Sequence, residues 1–251
     1  MIIAHISDLH FGPQHRKKSF AQAVNEINRL KPDAIVITGD LTENGLLREY
    51  KAAKQGIAKF DCRVKVALSG NHDYRSTGYL LFKQFFPSKQ ITEVDDIVII
   101  PIGTARPDRD DGEAGHRQVL WLEETLSKYR NKFKIVALHH HLIPVPDTGK
   151  DSIPIIDAGD VLRALLKGRV DLVMCGHRHR PWMWKIENFT VTHAGTLSSE
   201  RMRGFFSNCY NIVEIKNHRI KTHLKVVGGE RMELIRIVKE APLGIPEEVD
   251  Y

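Results

Sequence analysis

The chain has 251 residues, 42% hydrophobic and 27% charged, which is enough apolar material for a sizeable core and excludes a disordered, collagen-like or low-complexity protein. Lysine and arginine number 37 against 31 acidic residues, a formal charge of +6 that suits an anionic substrate or nucleic acid as well as an ordinary lysine-rich surface. The three cysteines, Cys62, Cys175 and Cys209, are odd in number and lack any CxxC spacing, which argues against a disulfide scaffold.

In chain order, apolar runs of strand length fall at Ile2–Ser7, Ala34–Thr38, Val64–Leu68, Ile97–Ile102, Lys134–Leu138 and Val170–Cys175. They are nearly continuous rather than alternating, as expected of central strands covered on both faces. Between them lie helical stripes: Phe20, Ala23, Val24, Ile27 and Leu30, then Leu46, Leu47, Tyr50, Ala53 and Ile57, and later Val161, Leu162, Leu165 and Leu166. This alternation predicts an α/β fold with crossover connections. Three further runs, Tyr210–Ile215, Arg219–Val227 and Arg231–Val238, are separated by turn residues and predict an antiparallel meander. A single domain over 1–251 is expected, with an α/β core at 1–200, antiparallel strands at 201–240 and an extended tail at 241–251. No apolar run approaches the ~20 residues of a membrane span. The opening MIIAHISDLH has no basic segment before its apolar residues and does not read as a signal peptide. A soluble, cytoplasmic protein is expected.

The chemistry lies at the end of each run. The first ends in Asp8-Leu9-His10, the second in Gly39-Asp40 and the third in Gly70-Asn71-His72-Asp73; later ones end in His139-His140-His141 and Gly176-His177-Arg178-His179. Ligand sites of open α/β sheets lie beyond the carboxyl ends of their strands. Asp8 to Asp40 spans 32 residues and Asp40 to Asn71 spans 31, each about one βαβ unit. The crossovers therefore return these residues to one edge. Within Asp8-x-His10 and His177-x-His179, an extended chain would point both side chains the same way. The glycines at 39, 70 and 176 are expected to let the backbone turn tightly there. Aspartate, histidine and asparagine without cysteine suit two divalent first-row ions: manganese first, or iron, zinc, cobalt or nickel. Such a site stays net positive and favours an anion, and a water bridging ions ~3.5–4 Å apart becomes a hydroxide nucleophile near neutral pH. Phosphoester hydrolysis is the expected reaction.

The series DxH, GD, GNHD, HH and GHxH, spanning residues 8 to 179, resembles the calcineurin-like metallophosphoesterase superfamily. The resemblance implies a four-layer αββα sandwich of mixed sheets with a dinuclear metal site at one edge. It assigns Asp8, His10, Asp40 and His179 to the first metal. Asp40 would bridge, and Asn71, His139 and His177 would complete the second metal, with His140 the alternative to His139. His141 would then lie at the pocket rim or surface, or touch substrate. His72 would contact the phosphate and protonate the leaving oxygen, or at least stabilise its charge. The aspartate ending GNHD, with Gly115-x-x-Gln118-x-Leu120-Trp121-Leu122, Ala194-Gly195-Thr196 and Tyr210-Asn211, is similar to the class III cyclic-nucleotide phosphodiesterases of microbes.

The expected substrate is thus a cyclic nucleotide or related small anionic phosphodiester, bound by Asn71, His72 and Arg178. Arg180, Arg201 and Arg203 lie in the same region. Trp182 and Trp184 are read as strand packing or as a stack for a base, and His193 as a structural or supporting residue. The charged segment Thr104–Gly115 is a candidate lid. The alternatives are a nuclease, a phosphomonoesterase and a non-catalytic metal-binding scaffold of the retromer type. Nucleic acid is the less favoured partner, a membrane is not expected, and the oligomeric state stays open, a homodimer included.

Overall fold

The computed structural model describes residues 1–86, 90–146, 148, 155–186, 189–203 and 206–240, without the side chains of 237, 239 and 240. The expected tail at 241–251 lies outside the described residues. In chain order the elements are β1 (Ile2–Ile6), α1 (Lys17–Leu30), β2 (Ala34–Ile37), α2 (Leu47–Ile57), β3 (Lys65–Ala67), a 3-10 turn (His72–Tyr74), α3 (Gly78–Phe85), β4 (Thr92–Val94) and β5 (Ile97–Pro101). They continue as α4 (His116–Lys128), β6 (Phe133–Ala137), α5 (Ala158–Lys167), β7 (Leu172–Cys175), β8 (Trp182–Ile186), β9 (Phe189–His193), β10 (Cys209–Lys216), β11 (Arg219–Val226), β12 (Arg231–Glu233) and α6 (Leu234–Glu240). No helix among the described residues is long and apolar enough to cross a membrane. All three cysteines are free and buried.

Two six-stranded sheets form, in the orders β12-β11-β10-β1-β2-β3 and β4-β5-β6-β7-β9-β8. The first is parallel over β1, β2 and β3 and antiparallel where β10 joins β1. The second is parallel from β5 through β6 and β7 to β9, with antiparallel edges at β4 and β8. Strand β2 shows why the runs are apolar throughout. Its Ala34 and Val36 face the layer between the sheets, with Ile99, Ile135 and Met174. Its Ile35 and Ile37 face the opposite way, onto Phe20, Ile27, Tyr50 and Phe82 of the first three helices. On the far side, Val119, Leu122, Val161 and Leu165 of α4 and α5 cover Val98, Val136 and Val173. The result is four layers, helix, sheet, sheet, helix.

The meander differs from expectation at its end. Only Arg231–Glu233 continues as strand; Leu234–Glu240 forms α6. Leu234 and Val238 stand four apart, a helical spacing, and Leu234 is buried against Cys209 and Leu224. Trp182 and Trp184 lie on β8, their rings 5.8 Å apart, and Trp184 packs on the apolar layer under α4 and α5. This is strand packing rather than a platform for a base.

His5 and His193 are among the fully buried histidines. His5 lies between the hydroxyls of Thr38 and Thr192, 3.1 and 3.2 Å from its ring nitrogens. Neither ring nitrogen of His193 has a hydrogen-bond partner among the described residues. Burial drives each down to about 3. The unfolded chain therefore takes up protons that the folded chain refuses. Their contribution to stability is complete above about pH 6.5 and lost as pH falls toward 3, by about 1.4 kcal/mol per pH unit for each histidine. Urea unfolding across this window is expected to show a shallower pH dependence for His193→Leu than for the parent chain. Equal slopes would show that His193 does not stay neutral.

Candidate metal centre

The carboxyl ends of β1, β2 and β3 in one sheet meet those of β6 and β7 in the other. Asp8 and His10 follow β1, Asp40 follows β2, Asn71 and His72 follow β3, His139 follows β6, and His177 and His179 follow β7. The turns are bonded to one another: Asp8 N–H donates to the Gly39 carbonyl (3.0 Å), His10 N–H to Asp40 (2.9 Å) and Gly176 N–H to His139 (2.9 Å). The i, i+2 pairs are not delivered by extended chain. Asp8, His10, Asp40, His177 and His179 all have left-handed backbones, with φ of 54°, 47°, 50°, 72° and 52°. Gly39 has φ +95°, and a Cβ there would stand 2.5 Å from His139 Nδ1. Gly70 is needed for a different reason, since a Cβ would strike the Asp40 carboxylate.

Each aspartate uses its two oxygens differently. Asp8 Oδ2 accepts His177 N–H (3.1 Å), while Oδ1 faces His179 Nε2 at 3.2 Å and His10 Nε2 at 3.9 Å. Asp40 Oδ1 accepts His72 N–H (2.9 Å), while Oδ2 faces His139 Nε2 at 3.4 Å and His10 Nε2 at 3.7 Å. The donor atoms of Asp8, His10, Asp40 and His179 lie within 4.8 Å of one another. Asn71 Oδ1 stands 3.0 Å from His139 Nε2 and 3.1 Å from His177 Nδ1. Asp40 therefore touches both groups. His139 Nδ1 donates to the Thr38 carbonyl at 2.7 Å, which turns its Nε2 lone pair toward Asp40 and Asn71. His140 is tied through Nδ1 to Thr104 Oγ1 (2.8 Å), although it belongs with His139 and His177 to a third close set of donors. His141, expected at the rim or surface, is fully buried, its ring stacked 5.8 Å from that of His177.

The charges explain what this set can hold. Burial works against ionisation of Asp8 and Asp40, yet the imidazoles overcome it: His179 holds Asp8 below the usual carboxylate range, and His139 and His72 hold Asp40 well below it. Burial also opposes a proton on His139, but Asp40 and Asp8 raise it to about 9, and His179 rises for the same reason beside Asp8. Burial and the adjacent imidazoles push His140 and His177 well down. Ionised carboxylates that draw protons onto facing imidazoles form a pit that demands positive charge. Nitrogen and oxygen donors in two groups sharing one carboxylate fit a pair of divalent ions.

Two residues that sequence reasoning passed over, Glu43 and Arg75, shape the rim together with Arg201 and Asp110. Glu43 is buried; its Oε2 stands 2.8 Å from His10 Nδ1, and its Oε1 3.0 Å from Arg201 Nη2 and 3.6 Å from His72 Nδ1. Burial raises this carboxyl, but His10 outweighs burial and keeps it below its ordinary value. The Glu43 carbonyl accepts His72 Nδ1–H at 2.7 Å. Arg75 Nη2 lies 3.2 Å and Arg201 Nη1 3.5 Å from His72 Nε2. Asp110 accepts Asn71 Nδ2–H at 2.9 Å. The only signal in the sequence is position: Glu43 shares the turn of Asp40, and Arg75 lies three residues after His72. Arg178, expected at the substrate, is buried and donates through Nη2 to the Thr148 carbonyl (2.5 Å), which also accepts from Arg203 Nη1 at 3.2 Å. Arg180 stacks over Trp182 and Phe206.

Residues 1–181 match the family model of the calcineurin-like phosphoesterases. The chain belongs to this family. It is 28% identical over 211 residues to the glycerophosphodiester phosphodiesterase GpdQ of Enterobacter lignolyticus, covering 76% of this chain and 75% of that one. It is also 28% identical over 195 residues to a cAMP/cGMP dual specificity phosphodiesterase of Mycobacterium tuberculosis, covering 71% and 61% of the two. A dimetal phosphatase from Danio rerio has the same fold, with a TM-score of 0.68 at 14% identity, over 93% of this chain and 98% of that chain.

Asp40→Asn is expected to abolish binding of a second equivalent of manganese in titration calorimetry and to remove activity with it. Full activity with two bound ions would refute the shared carboxylate. Glu43→Gln keeps the shape but not the charge behind His10, and manganese affinity should fall roughly 10–100-fold with the circular dichroism spectrum intact.

Proposed function

We propose that this chain is a two-metal phosphodiesterase acting on cyclic nucleotides or similarly small phosphodiesters, with manganese its first-choice ion. The observation that carries the reading is the pair of donor groups meeting at Asp40. Asp8, His10, Asp40 and His179 would hold one ion; Asp40, Asn71, His139 and His177 would hold the other. Bound there, the ions supply positive charge to the phosphate and a water acid enough to attack near neutral pH. The activities for which the two relatives are named, on glycerophosphodiesters and on cyclic nucleotides, are diester hydrolyses, and that chemistry fits this rim.

The chain's own groups do the rest. Arg75 and Arg201 converge on His72 at the mouth, where their guanidiniums would take phosphate oxygens. His72 has its Nδ1 committed to the Glu43 carbonyl, which turns Nε2 toward the two guanidiniums. His72 is thus placed to contact the phosphate and to protonate the departing ester oxygen or stabilise its charge, with the Glu43 carboxylate 3.6 Å from its Nδ1. Since β10 bonds directly to β1, the C-terminal strands belong to the same sheet as Asp8 and Asp40, and we take 1–251 as one catalytic domain.

Stripping the protein with chelator and restoring manganese should return hydrolysis of bis-p-nitrophenyl phosphate in preference to p-nitrophenyl phosphate. Preference for the monoester would make the protein a phosphatase. No turnover with any divalent ion, despite two bound equivalents, would make it a scaffold.

A further inference from the structure

The segment from Thr104 to Gly115 is held at the mouth at several points. Thr104 hydrogen-bonds His140, Asp108 N–H donates to the Tyr74 carbonyl (3.3 Å), and Asp108 Oδ1 accepts Ser76 N–H (2.6 Å). Gly112 packs so tightly on the His140 ring that a Cβ would stand 2.5 Å from it. Most of the loop's charges are already matched. Asp111 pairs with Arg106 (2.9 Å) and Arg109 (3.1 Å), and Glu113 pairs with Arg106 (3.4 Å). Asp110 is different. Its carboxylate is 79% exposed, yet Oδ1 accepts from Asn71 Nδ2 at 2.9 Å and stands 3.5 Å from Arg75 Nη2. It is thus one side-chain amide removed from the donor atoms of the metal site, on the rim that a substrate must pass.

We propose that Asp110 selects substrates by charge, admitting phosphate esters with a single negative charge and disfavouring those with two. This rests on the phosphodiesterase reading and gives that preference a physical origin. Positive charge from the ions, Arg75 and Arg201 attracts every phosphate. A fixed carboxylate at the rim subtracts from that attraction in proportion to the charge on the substrate, so a dianionic monoester loses more than a monoanionic diester. Glu43, the other carboxylate described at this rim, is buried on His10 and Arg201, whereas Asp110 is largely exposed even with Arg75 3.5 Å away, so Asp110 is the acid more open to incoming substrate. The same contact fixes the Asn71 amide, with Nδ2 outward on Asp110 and Oδ1 inward between His139 and His177.

The test compares the manganese-loaded parent chain with Asp110→Asn, which keeps the acceptor for Asn71 and removes the charge. At about pH 8, above the phosphate ionisation near 6, p-nitrophenyl phosphate is a dianion. Bis-p-nitrophenyl phosphate and p-nitrophenyl phenylphosphonate are monoanions of different size. The kcat/KM for the dianion relative to each monoanion should rise roughly three- to tenfold in Asp110→Asn, and the rise should shrink in high salt because the site is exposed. Inorganic phosphate should also bind the loaded variant more tightly in calorimetry. An unchanged ratio overturns the proposal. So does a rise confined to Asp110→Ala, which would make Asp110 a positioning residue for Asn71. The parent chain's own preference between diester and monoester tests the phosphodiesterase reading separately, whatever the variants do.

Discussion

Asp8 and Asp40 are two ionised carboxylates buried within the same few ångströms, and the structure around them is arranged to make that tolerable. Isolated burial of one such charge is costly, and a second of the same sign adds repulsion. The answer is division of labour within each carboxylate, with one oxygen on a backbone N–H and the other facing imidazoles. The partners cross between layers. Asp8 belongs to the first sheet, yet the N–H it accepts and the imidazole it faces come from the turn after β7 in the second. The site is therefore a clasp as well as a reaction centre. A third aspartate supports it from behind: Asp73 accepts N–H groups from Leu41, Thr42 and Gly70, bonding the turn that carries Asp40 to the turn that carries Asn71.

The rim obeys the same electrostatics. An electropositive pit with ions in place draws in any phosphate, so affinity alone would not discriminate. The groups outside the pit have to do so. Arg75 and Arg201 converge on one imidazole, His72, while Glu43 stands behind that imidazole and behind His10. One buried carboxylate thereby touches both His72 and His10, so a change at Glu43 would be felt at both imidazoles.

Much of this is legible in the chain. The strands buried on both faces announce themselves by continuous apolar runs, and the polar residues that end them do converge in space. Spacing does not say that β1 to β3 and β5 to β7 lie in different sheets, because a crossover of given length reads alike in either. Glu43 is hidden in the polar turn Leu41-Thr42-Glu43-Asn44, where an acidic residue resembles a solvated one. Arg178 attracts notice by lying between two histidines, but its position in the turn buries it on Thr148, while Arg75 sits on a short turn with no pattern of its own. The end of the meander misleads because Leu234-Ile235-Arg236-Ile237-Val238 is apolar enough for a strand, and only the burial of Leu234 decides for a helix.

Five of the residues grouped around the pit adopt left-handed backbones, and all five are aspartate or histidine. These are among the non-glycine types that tolerate that conformation best. The backbone thus restricts the choice of residue alongside the coordination chemistry: a threonine or valine at these turns would be excluded by sterics before its side chain was judged as a donor. It also sets a direction for evolutionary drift. Strain of this kind costs of order 1–3 kcal/mol per residue, and it persists because the turns around the pit are bonded to one another. A descendant released from catalysis could replace these residues with glycine and relax the turns, keeping the sandwich while the pit empties of donors.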